Sequence, residues 1–315
     1  MTEQPRWVDA TALRQAMSAD RARRLIRQAL ADGLERSADP ARLAAPAGPG
    51  QLLLMPAASR RAAGVKVASV APGNPARGLA RIQAFYVLFD AATLTPSVLL
   101  DGAALTTLRT PAVSAVAIDC LAAQEVSDVV IIGSGPQAVG HAEAILAIRS
   151  PGSITVIGRE LDGARAAANR IRGLDGAPHV TALTSSDRPA FDDAVRRAGI
   201  VVTATSSATP VLDGTWVPDG ACVVAIGSHE PGQRELDSEL VGRSRVVVED
   251  IGAARREAGD VVLAVADGAL DWHDVGSLGD LVLGRLSRAT DRPNIFKSVG
   301  MAWQDLVVAE HAVRF

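Results

Sequence analysis

Apolar residues follow a helical spacing near the start of the chain. Within residues 9–35 they recur at i, i+3 and i+4 positions, namely at Ala22, Leu25, Ile26, Ala29, Leu30 and Leu34. This spacing puts them on one face and predicts an amphipathic helix. The stretch that follows, "SADPARLAAPAGPGQ", is rich in Pro, Gly and Ala and predicts a loop.

From residue 51 to residue 100 the spacing becomes that of short strands. Turn residues separate four apolar or alternating runs: "QLLLMP", "AGVKVASV", "LARIQAFYVLFD" and "PSVLLDG". These runs predict a small antiparallel sheet, in which "DAATLTP" is the hairpin connection between the last two strands. A helix is predicted over residues 104–123, with Pro111 in its first turns or at a kink.

Beyond residue 126, strand-like and helix-like segments such as 161–172 alternate. The strands are predicted at 128–132, 153–157, 199–203, 221–226 and 245–248. This alternation predicts a parallel sheet with helices on its faces. The last segment, "NIFKSVGMAWQDLVVAEHAVRF", predicts a turn and a helix that return to the N-terminal sheet. The expected fold class is α/β, a Rossmann-type doubly wound parallel sheet plus a second α+β domain.

Composition and charge narrow the classes of partner. The chain has 315 residues, a formal net charge of −3 and no long basic run, so we expect no nucleic-acid partner. No apolar run reaches the about 18 residues that span a bilayer, and "MTEQPRWVDATALRQ" lacks the pattern of a signal peptide. Cys120 and Cys222 lie in apolar runs and are expected to be buried free thiols of a cytoplasmic protein.

A glycine-rich turn follows the strand predicted at 128–132. The segment "GSGPQA" fits the pattern G-x-G-x-x-A with Gly133, Gly135 and Ala138. The first glycine permits a tight turn, the second lets the backbone approach a pyrophosphate, and the small alanine lets helix and strand pack closely. A structural turn without a ligand would share the motif, but the strand before it and the helix after it favour dinucleotide binding.

The tip of the second strand, "SITVIG", bears on the choice of dinucleotide. An acid there would bind the ribose hydroxyl of NAD, yet Gly158 and Arg159 occupy the tip. An arginine fork suits a 2′-phosphate, so NADP(H) is favoured. NAD(H) stays possible because the adjacent Glu160 would bind a ribose, and Arg159 would then be an ordinary exposed arginine.

Lysine is almost absent from this arginine-rich chain. Only Lys66 and Lys297 occur, and Lys66 interrupts the apolar strand "AGVKVASV". This placement suggests that an amine is needed there, although an outward-facing residue on a half-exposed strand would give the same pattern. The histidines at 141, 179, 273 and 311 show no ligand spacing, so we expect no metal site.

Five segments resemble, in order, signatures of the ornithine cyclodeaminase/mu-crystallin family: "GVKVASVAPGNPARGL", "LLDGAALTTLRTPAVSAVA", "GSGPQA", "AIGSHEPGQREL" and "NIFKSVGMAWQDL". The resemblance covers nearly the whole chain and implies a two-domain homodimer. Residues 1–123 with 293–315 would form the substrate-binding and dimerisation domain, and residues 124–292 the Rossmann dinucleotide-binding domain.

The resemblance also implies site residues. Arg42 and Arg109 match positions that hold the substrate carboxylate, Lys66 matches the active-site lysine, Met55 a pocket wall, and Val299 a turn that closes on the substrate. Cofactor contacts, shared in part by Arg109, would come from Gly133, Ser134, Gly135, Pro136, Gln137, Arg159, Thr205, Ser206, Val224, Ala225, Ile226 and Ser298.

This chain departs from the family pattern at two positions that distinguish the cyclodeaminases from the other enzymes of the family. Where the cyclodeaminases of the family have a catalytic aspartate, this chain has His229; where they have a glutamate near the distal amine of the substrate, it has Leu53. Both changes argue against ornithine as the substrate. Gly158 likewise replaces the NAD-type acid at the tip of the second strand. The ketimine reductases of the family show a similar pattern, with no aspartate at that site and an arginine suited to NADPH.

The sequence therefore predicts an NAD(P)H-dependent reductase of an imino acid, with a small cyclic ketimine carboxylate as substrate and an L-amino acid as product. Both arginines would clamp the carboxylate, and Lys66 or His229 would exchange a proton near neutral pH. Three alternatives stay open: a cyclodeaminase-type lyase, an alanine dehydrogenase or opine-like dehydrogenase, and a non-catalytic crystallin-like binding protein. As a further interpretation, His229 would lie at the surface or contact only residues that themselves touch the substrate.

Overall fold

The computed structural model describes residues 4–33 and 40–313. The chain divides into two compact units, the first formed by Met1–Thr110 with Gly300–Phe315 and the second by Pro111–Val299. The sequence placed the boundaries after residue 123 and before residue 293. The first lies thirteen residues earlier, inside a helix, and the second seven residues later, because a strand at 294–297 pairs within the parallel sheet.

The first unit is built on a six-stranded sheet in the order β1-β6-β5-β4-β3-β2. Its strands are β1 (Arg6–Val8), β2 (Leu43–Ala47), β3 (Gly50–Ala58), β4 (Ala62–Val70), β5 (Ile82–Asp90) and β6 (Pro96–Asp101). Neighbours are antiparallel from β2 to β6, as predicted, and Asp90 begins the predicted hairpin connection. Only the pairing of β1 with β6 is parallel.

Two strands of this sheet escaped the sequence prediction. β2 lies inside the segment predicted as a loop, and its Pro46 is tolerated because β2 is an edge strand. β1 has only three residues, too few for a period of two to show. The missed elements are thus both at the sheet edges.

The helix predicted over residues 9–35 is two helices, α1 (Ala10–Ala16) and α2 (Ala19–Ala31). The break has a local cause: Met17 is extended, and the Ser18 hydroxyl accepts a hydrogen bond from the Arg21 amide and starts α2. The predicted apolar face is buried at Ala22, Ile26 and Leu30. Leu34, which was assigned to the same face, lies outside the described residues.

Helix α3 (Gly102–Leu121) follows β6 and confirms the predicted helix, two residues early at each end. Pro111 is its tenth residue and so lies in the helix interior rather than in the first turns. The chain returns to the first unit through α11 (Ala302–Ala312), which packs on β3, β4 and α2. This return confirms the predicted course of the C-terminal helix.

The second unit holds an eight-stranded parallel sheet in the order β13-β12-β14-β11-β10-β7-β8-β9. The strands are β7 (Asp128–Ile132), β8 (Ser153–Gly158), β9 (His179–Thr184), β10 (Ile200–Thr203), β11 (Cys222–Ala225), β12 (Arg245–Val248), β13 (Gly276–Ser277) and β14 (Asn294–Lys297). The order reverses between β7 and β10, which is the topological switch point of a doubly wound sheet. The predicted fold class is confirmed.

Helices flank this sheet: α4 (Pro136–Leu146), α5 (Leu161–Arg172), α6 (Arg188–Arg197), α7 (Ser238–Arg243), α8 (Ile251–Glu257), α9 (Gly259–Ala266) and α10 (Leu278–Val282). Among the described residues, no helix combines the length and the hydropathy of a membrane-spanning segment. Cys222 is buried as expected, whereas Cys120 is only half-buried, and the two do not form a disulfide.

Candidate functional site

Lys66 lies on the covered face of the six-stranded sheet. Along β4 the buried side chains alternate with half-buried ones, and Lys66 belongs to the buried set with only 3% of its surface exposed. Its register partners are Met55 on β3 and Tyr86 on β5, both buried. The interpretation of Lys66 as an outward-facing residue is therefore wrong.

Helix α11 brings a carboxylate to this lysine. Asp305 is fully buried, and its Oδ2 accepts a hydrogen bond from Lys66 Nζ at 2.7 Å. Its Oδ1 accepts from Arg109 Nε at 3.0 Å. Lys66, Asp305 and Arg109 together form what we call the buried cluster, in which one carboxylate joins two cations.

Arg109, on α3, does not use all of its N–H groups in hydrogen bonds within the protein. It is 4% exposed, and its Nη1 donates to Gln304 Oε1 at 3.1 Å. Within residues 4–33 and 40–313, Arg109 Nη2 makes no hydrogen bond. Within the same residues, Lys66 Nζ donates to Asp305 alone. The buried cluster can therefore still donate hydrogen bonds to an anion.

Gly300 and Arg42 border the buried cluster. Arg42 Nη2 donates to the Gly300 carbonyl at 2.9 Å. Gly300 has φ +79°, and a β-carbon there would lie 2.8 Å from both Nη atoms of Arg109, so this turn requires glycine. Arg42 is half-buried, and its positive charge reaches Lys66.

The charges in the buried cluster oppose one another. Burial and the adjacent Arg109 lower the pKa of Lys66 to about 8, although Asp305 acts to raise it. Burial acts to raise the pKa of Asp305, but the charges of Arg109 and Lys66 outweigh it and hold that pKa below its usual range. With Lys66 protonated, the buried cluster and Arg42 carry three positive charges and one negative charge, an arrangement that favours an added anion.

Apolar side chains surround the lysine on the same face of the sheet. Leu53, Ala68 and Val70 form a buried group, and Met55 is also buried. Leu53 thus contributes hydrocarbon where a glutamate would offer a partner to an amine. The surroundings of Lys66 suit a substrate whose carboxylate is charged and whose remainder is apolar.

In the second unit, the strand ends of the parallel sheet carry the predicted cofactor residues. Gly133 follows β7 with φ +131°, and a β-carbon there would lie 2.5 Å from the Ala204 carbonyl oxygen. Around Gly135, by contrast, a β-carbon would meet nothing within 4 Å. The turn is closed towards the sheet and open on the side where a phosphate would approach.

Helix α4 begins directly after this turn, with Gly135 as its N-cap and Pro136 in its first turn. Ser134 and Gly135 are exposed and Gln137 is half-buried. Gln137 Oε1 is buried without a hydrogen-bond partner among the described residues. Ala138 is fully buried against its surroundings, as the motif predicts.

At the tip of β8, Arg159 has neighbours that the sequence did not reveal. Thr184 Oγ1, from the end of β9, donates to the Arg159 carbonyl at 3.0 Å, and the hydroxyl oxygens of Thr184 and Ser186 lie 3.1 Å apart. The Ser185 amide donates to the Gly158 carbonyl at 2.8 Å. Arg159 is exposed, and hydroxyl groups rather than carboxylates stand at the end of β9.

Glu235 ties together the loops that follow β10 and β11. This fully buried carboxylate accepts hydrogen bonds from Thr203 Oγ1, Thr205 N, Thr205 Oγ1 and Gly227 N at 2.6–2.9 Å. The Thr205 hydroxyl is therefore engaged with protein, while Ser206 beside it is exposed. Glu235 belongs to the signature segment "AIGSHEPGQREL", but no role was predicted for it.

A second buried acid holds the loop after β14. Glu249 accepts hydrogen bonds from Ser298 Oγ at 3.0 Å and from the Val299 amide at 2.8 Å. On β11, Val224 and Ala225 are fully buried within the sheet, and only the following Ile226 is half-buried. Of these three residues, Ile226 is therefore the one with accessible side-chain surface.

His229 lies half-buried in the turn after β11. The turn is fixed by the second lysine of the chain, since Lys297 Nζ donates to the Ser228 carbonyl at 2.5 Å and pairs with Asp260 at 2.9 Å. Lys297 therefore has a structural role, in which its hydrogen bond and ion pair hold this turn in place. Across residues 4–33 and 40–313, no three potential metal ligands converge.

Asp305 is the main site residue that the sequence analysis missed. Its segment, "GMAWQDL", was quoted, but an acid on a C-terminal helix is usually solvated. The burial of Asp305 could have been predicted from the residues around it, because the helix 302–312 is apolar on most of its sides. An acid on such a helix must be buried and paired.

Comparison with known proteins agrees with this architecture. The sequence profile of the ornithine cyclodeaminase/mu-crystallin family matches residues 10–314. A Delta(1)-pyrroline-2-carboxylate/Delta(1)-piperideine-2-carboxylate reductase of Azospirillum brasilense is 38% identical over 276 residues, which cover 87% of this chain and 83% of that protein.

Two solved structures are similar over nearly their whole length. The Delta(1)-pyrroline-2-carboxylate reductase of Thermococcus litoralis, in complex with NADH and L-proline, superposes with a TM-score of 0.90 at 27% identity, covering 97% of this chain and 95% of that one. An archaeal alanine dehydrogenase dimer with bound NAD gives a TM-score of 0.87 at 27% identity, with coverages of 98% and 94%. The chain belongs to the ornithine cyclodeaminase/mu-crystallin family.

Proposed function

We propose that this protein is an NAD(P)H-dependent reductase that converts a cyclic ketimine carboxylate, such as Δ1-pyrroline-2-carboxylate or Δ1-piperideine-2-carboxylate, into the L-amino acid. One observation carries the proposal: the buried cluster places an amine and a guanidinium side by side with an excess of positive charge. The Azospirillum relative described above is a reductase of these two imines.

The buried cluster supplies what such a substrate needs. Arg109 and Arg42 bind the carboxylate through charge-assisted hydrogen bonds, which are about twice as strong as neutral ones. This fixes the orientation of the C=N bond and removes entropy from the barrier. Lys66 has two further N–H groups for the imine nitrogen or the carboxylate.

The turn after β7 fits a dinucleotide. Its open side at Gly135 and the free N–H groups at the start of an eleven-residue helix are the features that a pyrophosphate would engage. Gly133, Ser134, Gly135, Pro136 and Gln137 would hold the phosphates, Arg159 the ribose, and Thr205, Ser206, Ile226 and Ser298 the nicotinamide end. A bound nicotinamide supplies the hydride that the substrate carbon receives.

Lys66 gives the proton that balances this hydride. The amine product needs one hydride at carbon and one proton at nitrogen, and Lys66 is the donor. Because the pKa of Lys66 is lowered to about 8, the residue is mostly protonated below that pH and mostly neutral above it. The rate of reduction therefore falls as the pH rises through about 8.

The same surroundings disfavour ornithine. A diamine would bring a second ammonium group to a region that is already positively charged and lined by Leu53 and Met55. No acid besides Asp305 is seen to act on Lys66 among the described residues, and both oxygens of Asp305 are engaged. A cyclic imine carries no such extra charge.

A substrate panel tests the proposed function. We expect oxidation of NADPH or NADH with the two cyclic imines, and loss of at least about 100-fold in turnover in the Lys66→Met variant with cofactor binding retained. Pyruvate with ammonia tests for an alanine dehydrogenase, and ornithine with NAD for a lyase. Turnover of ornithine with ammonia release, or full activity of Lys66→Met, would contradict the proposal.

We further propose a preference for NADP(H). The relatives of solved structure described above contain NADH or NAD, whereas this chain has Gly158 at the tip of β8 with the exposed Arg159 after it. Arg159 would pair with a 2′-phosphate, and the hydroxyls of Thr184 and Ser186 are positioned near the Arg159 backbone to assist it. The absence of a carboxylate on Gly158 removes a repulsion that the phosphate would otherwise meet.

We also propose a homodimer through the open face of the six-stranded sheet. Opposite the face of Lys66, one register row joins Leu43, Leu54, Val67 and Phe85. Leu43 and Phe85 are more than half exposed, as is Leu94 in the hairpin, and Trp7 stacks edge-on against Phe85 at 5.8 Å. Monomers rarely expose an apolar patch of this kind, and the alanine dehydrogenase described above is a dimer.

A further inference from the structure

We propose that Asp305 is a positioning residue that holds Lys66 as the proton donor and aligns Arg109 for the substrate carboxylate. The inference rests on the proposed imine reduction and adds a residue that neither the family pattern nor the sequence motifs assigned. Asp305 itself does not need to touch the substrate.

The geometry carries this role. Each carboxylate oxygen of Asp305 serves one cation, Oδ2 for Lys66 at 2.7 Å and Oδ1 for Arg109 at 3.0 Å. Both bonds span about two hundred residues of sequence, so no local turn would bring these cations together. Asp305 is fully buried, which removes competition from water and makes each bond strong.

Gln304 completes the alignment from the adjacent position on α11. Its Oε1 accepts from Arg109 Nη1 at 3.1 Å and from the Met301 amide at 3.2 Å. Two neighbouring residues of one helix thus fix the Nε and Nη1 atoms of the same guanidinium, which leaves Nη2 directed elsewhere. A planar fork held at two atoms is preorganised for a carboxylate.

Asp305 opposes the other groups that act on the protonation of Lys66. Arg109 from α3 and Arg42 from the segment before β2 disfavour the ammonium, and burial acts in the same direction. Met55 on β3 brings no charge, and the register partner on β5 is the phenol of Tyr86. Asp305 is the one acid among the described residues that acts to retain the proton on Lys66.

The two lysines of the chain allow a direct measurement. Lysine labelled with 13C at the ε-carbon gives two side-chain signals, from Lys66 and Lys297, and the Lys66→Met variant assigns them. We expect the Lys66 signal of the full-length protein to titrate near pH 8. In Asp305→Asn, we expect its midpoint to fall by about one to three pH units, because the single counter-charge is lost.

A matched control is the other buried lysine–aspartate pair. Asp260→Asn removes the carboxylate beside Lys297 and should move the Lys297 signal while leaving the Lys66 midpoint in place. The pH profile of kcat/KM with Δ1-pyrroline-2-carboxylate gives the second readout. Its alkaline limb should move to lower pH in Asp305→Asn by the same amount as the NMR midpoint, and should stay in place in Asp260→Asn.

Opposite results would overturn the role of Asp305. An unchanged or raised Lys66 midpoint in Asp305→Asn, or an alkaline limb that does not follow it, would contradict the proposal. If Asp305→Asn does not fold, Asp305→Glu decides: we expect a near-normal Lys66 midpoint with a KM raised about tenfold or more by the displaced Arg109, and an unchanged KM would refute the alignment. The NMR midpoints need no turnover, so inactivity of the wild-type protein towards the imine would refute the proposed function separately.

Discussion

At the residue scale, Lys66 shows what a single position can reveal. A lysine in an arginine-rich chain, within an apolar strand, indicated a need for an amine. Its burial was not predictable, because Gly64, Val65, Val67 and Ala68 are all apolar or small, so the alternation that assigns a face is missing. The facing helix settles the question, since Asp305 marks the covered side.

Asp305 and Glu235 could not be assigned from the sequence. Each acts on partners that are far away along the chain, Asp305 on Lys66 and Arg109 and Glu235 on Thr203 and Thr205. The hydrophobic period of a helix indicates which of its faces is buried, but not which residues of other elements pack against that face. A loop has no such period. From the sequence alone, an acid in a loop that is buried and paired within the protein therefore cannot be distinguished from an acid that faces solvent.

Arg159→Ala tests the choice of cofactor. If Arg159 pairs with the 2′-phosphate, its loss removes a charge-assisted bond of about 1.5–3 kcal/mol, so KM for NADPH should rise about 10-fold to 100-fold. KM for NADH should change less than about twofold. Arg165→Ala on α5 is the matched control, because Arg165 is an exposed arginine with a partner on its own helix, and equal effects on both cofactors would remove the argument for NADP(H).

At the element scale, prediction succeeded where hydrophobic runs are bounded by clear turns. β7 and β12 match their predicted bounds, and β8, β10 and β11 match within one residue at either end. β9, β13 and β14 were missed. β9 carries polar residues in "HVTALT", β13 has only two residues, and the "NIFK" of β14 is too short to separate from the turn after it.

The missed β14 matters for the domain boundary. Its four residues are fully buried between β11 and β12. Hydrogen bonds on both sides make it a central strand of the parallel sheet, although it lies late in the chain. The chain thus enters the second unit early, within α3, and leaves it after β14.

The turn between β7 and α4 offers a matched pair of substitutions. Gly133→Ala should lower the stability by about 1–3 kcal/mol, because φ is +131° and the new β-carbon meets the Ala204 carbonyl. Gly135→Ala should leave the melting temperature nearly unchanged, because its φ is −80° and the space around it is open, yet it should weaken cofactor binding at least about tenfold. Thermal unfolding and cofactor fluorescence titrations measure both; unweakened binding in Gly135→Ala would contradict a pyrophosphate at this turn.

At the scale of the whole molecule, the two units divide the proposed chemistry. The first carries the buried cluster and the second carries the glycine turn with the loops fixed by Glu235 and Glu249. The fold class and the family were predictable from the order of the signature segments. The roles of the units in substrate binding and dimerisation are proposals that need measurement on the intact protein.

The homodimer can be tested through its proposed face. Phe85→Arg puts a charge on the most exposed member of the apolar row on the sheet, so sedimentation should change from the mass of two chains towards that of one at micromolar concentration. Leu283→Arg is the control, because Leu283 is an exposed leucine of the second unit and should leave a dimer. A wild-type monomer, or a dimer that Phe85→Arg leaves intact, would contradict this interface.

The central claim is a hydride transfer to the carbon of a C=N bond. The most direct measurement is the reaction of Δ1-pyrroline-2-carboxylate with NADPH deuterated at both C4 positions, followed by mass spectrometry and chiral separation of the product. We predict L-proline with one deuterium at its α-carbon, and one NADP+ formed for each molecule of product. Consumption of the imine without deuterium at that carbon, or the absence of proline while ornithine is deaminated, would contradict the account.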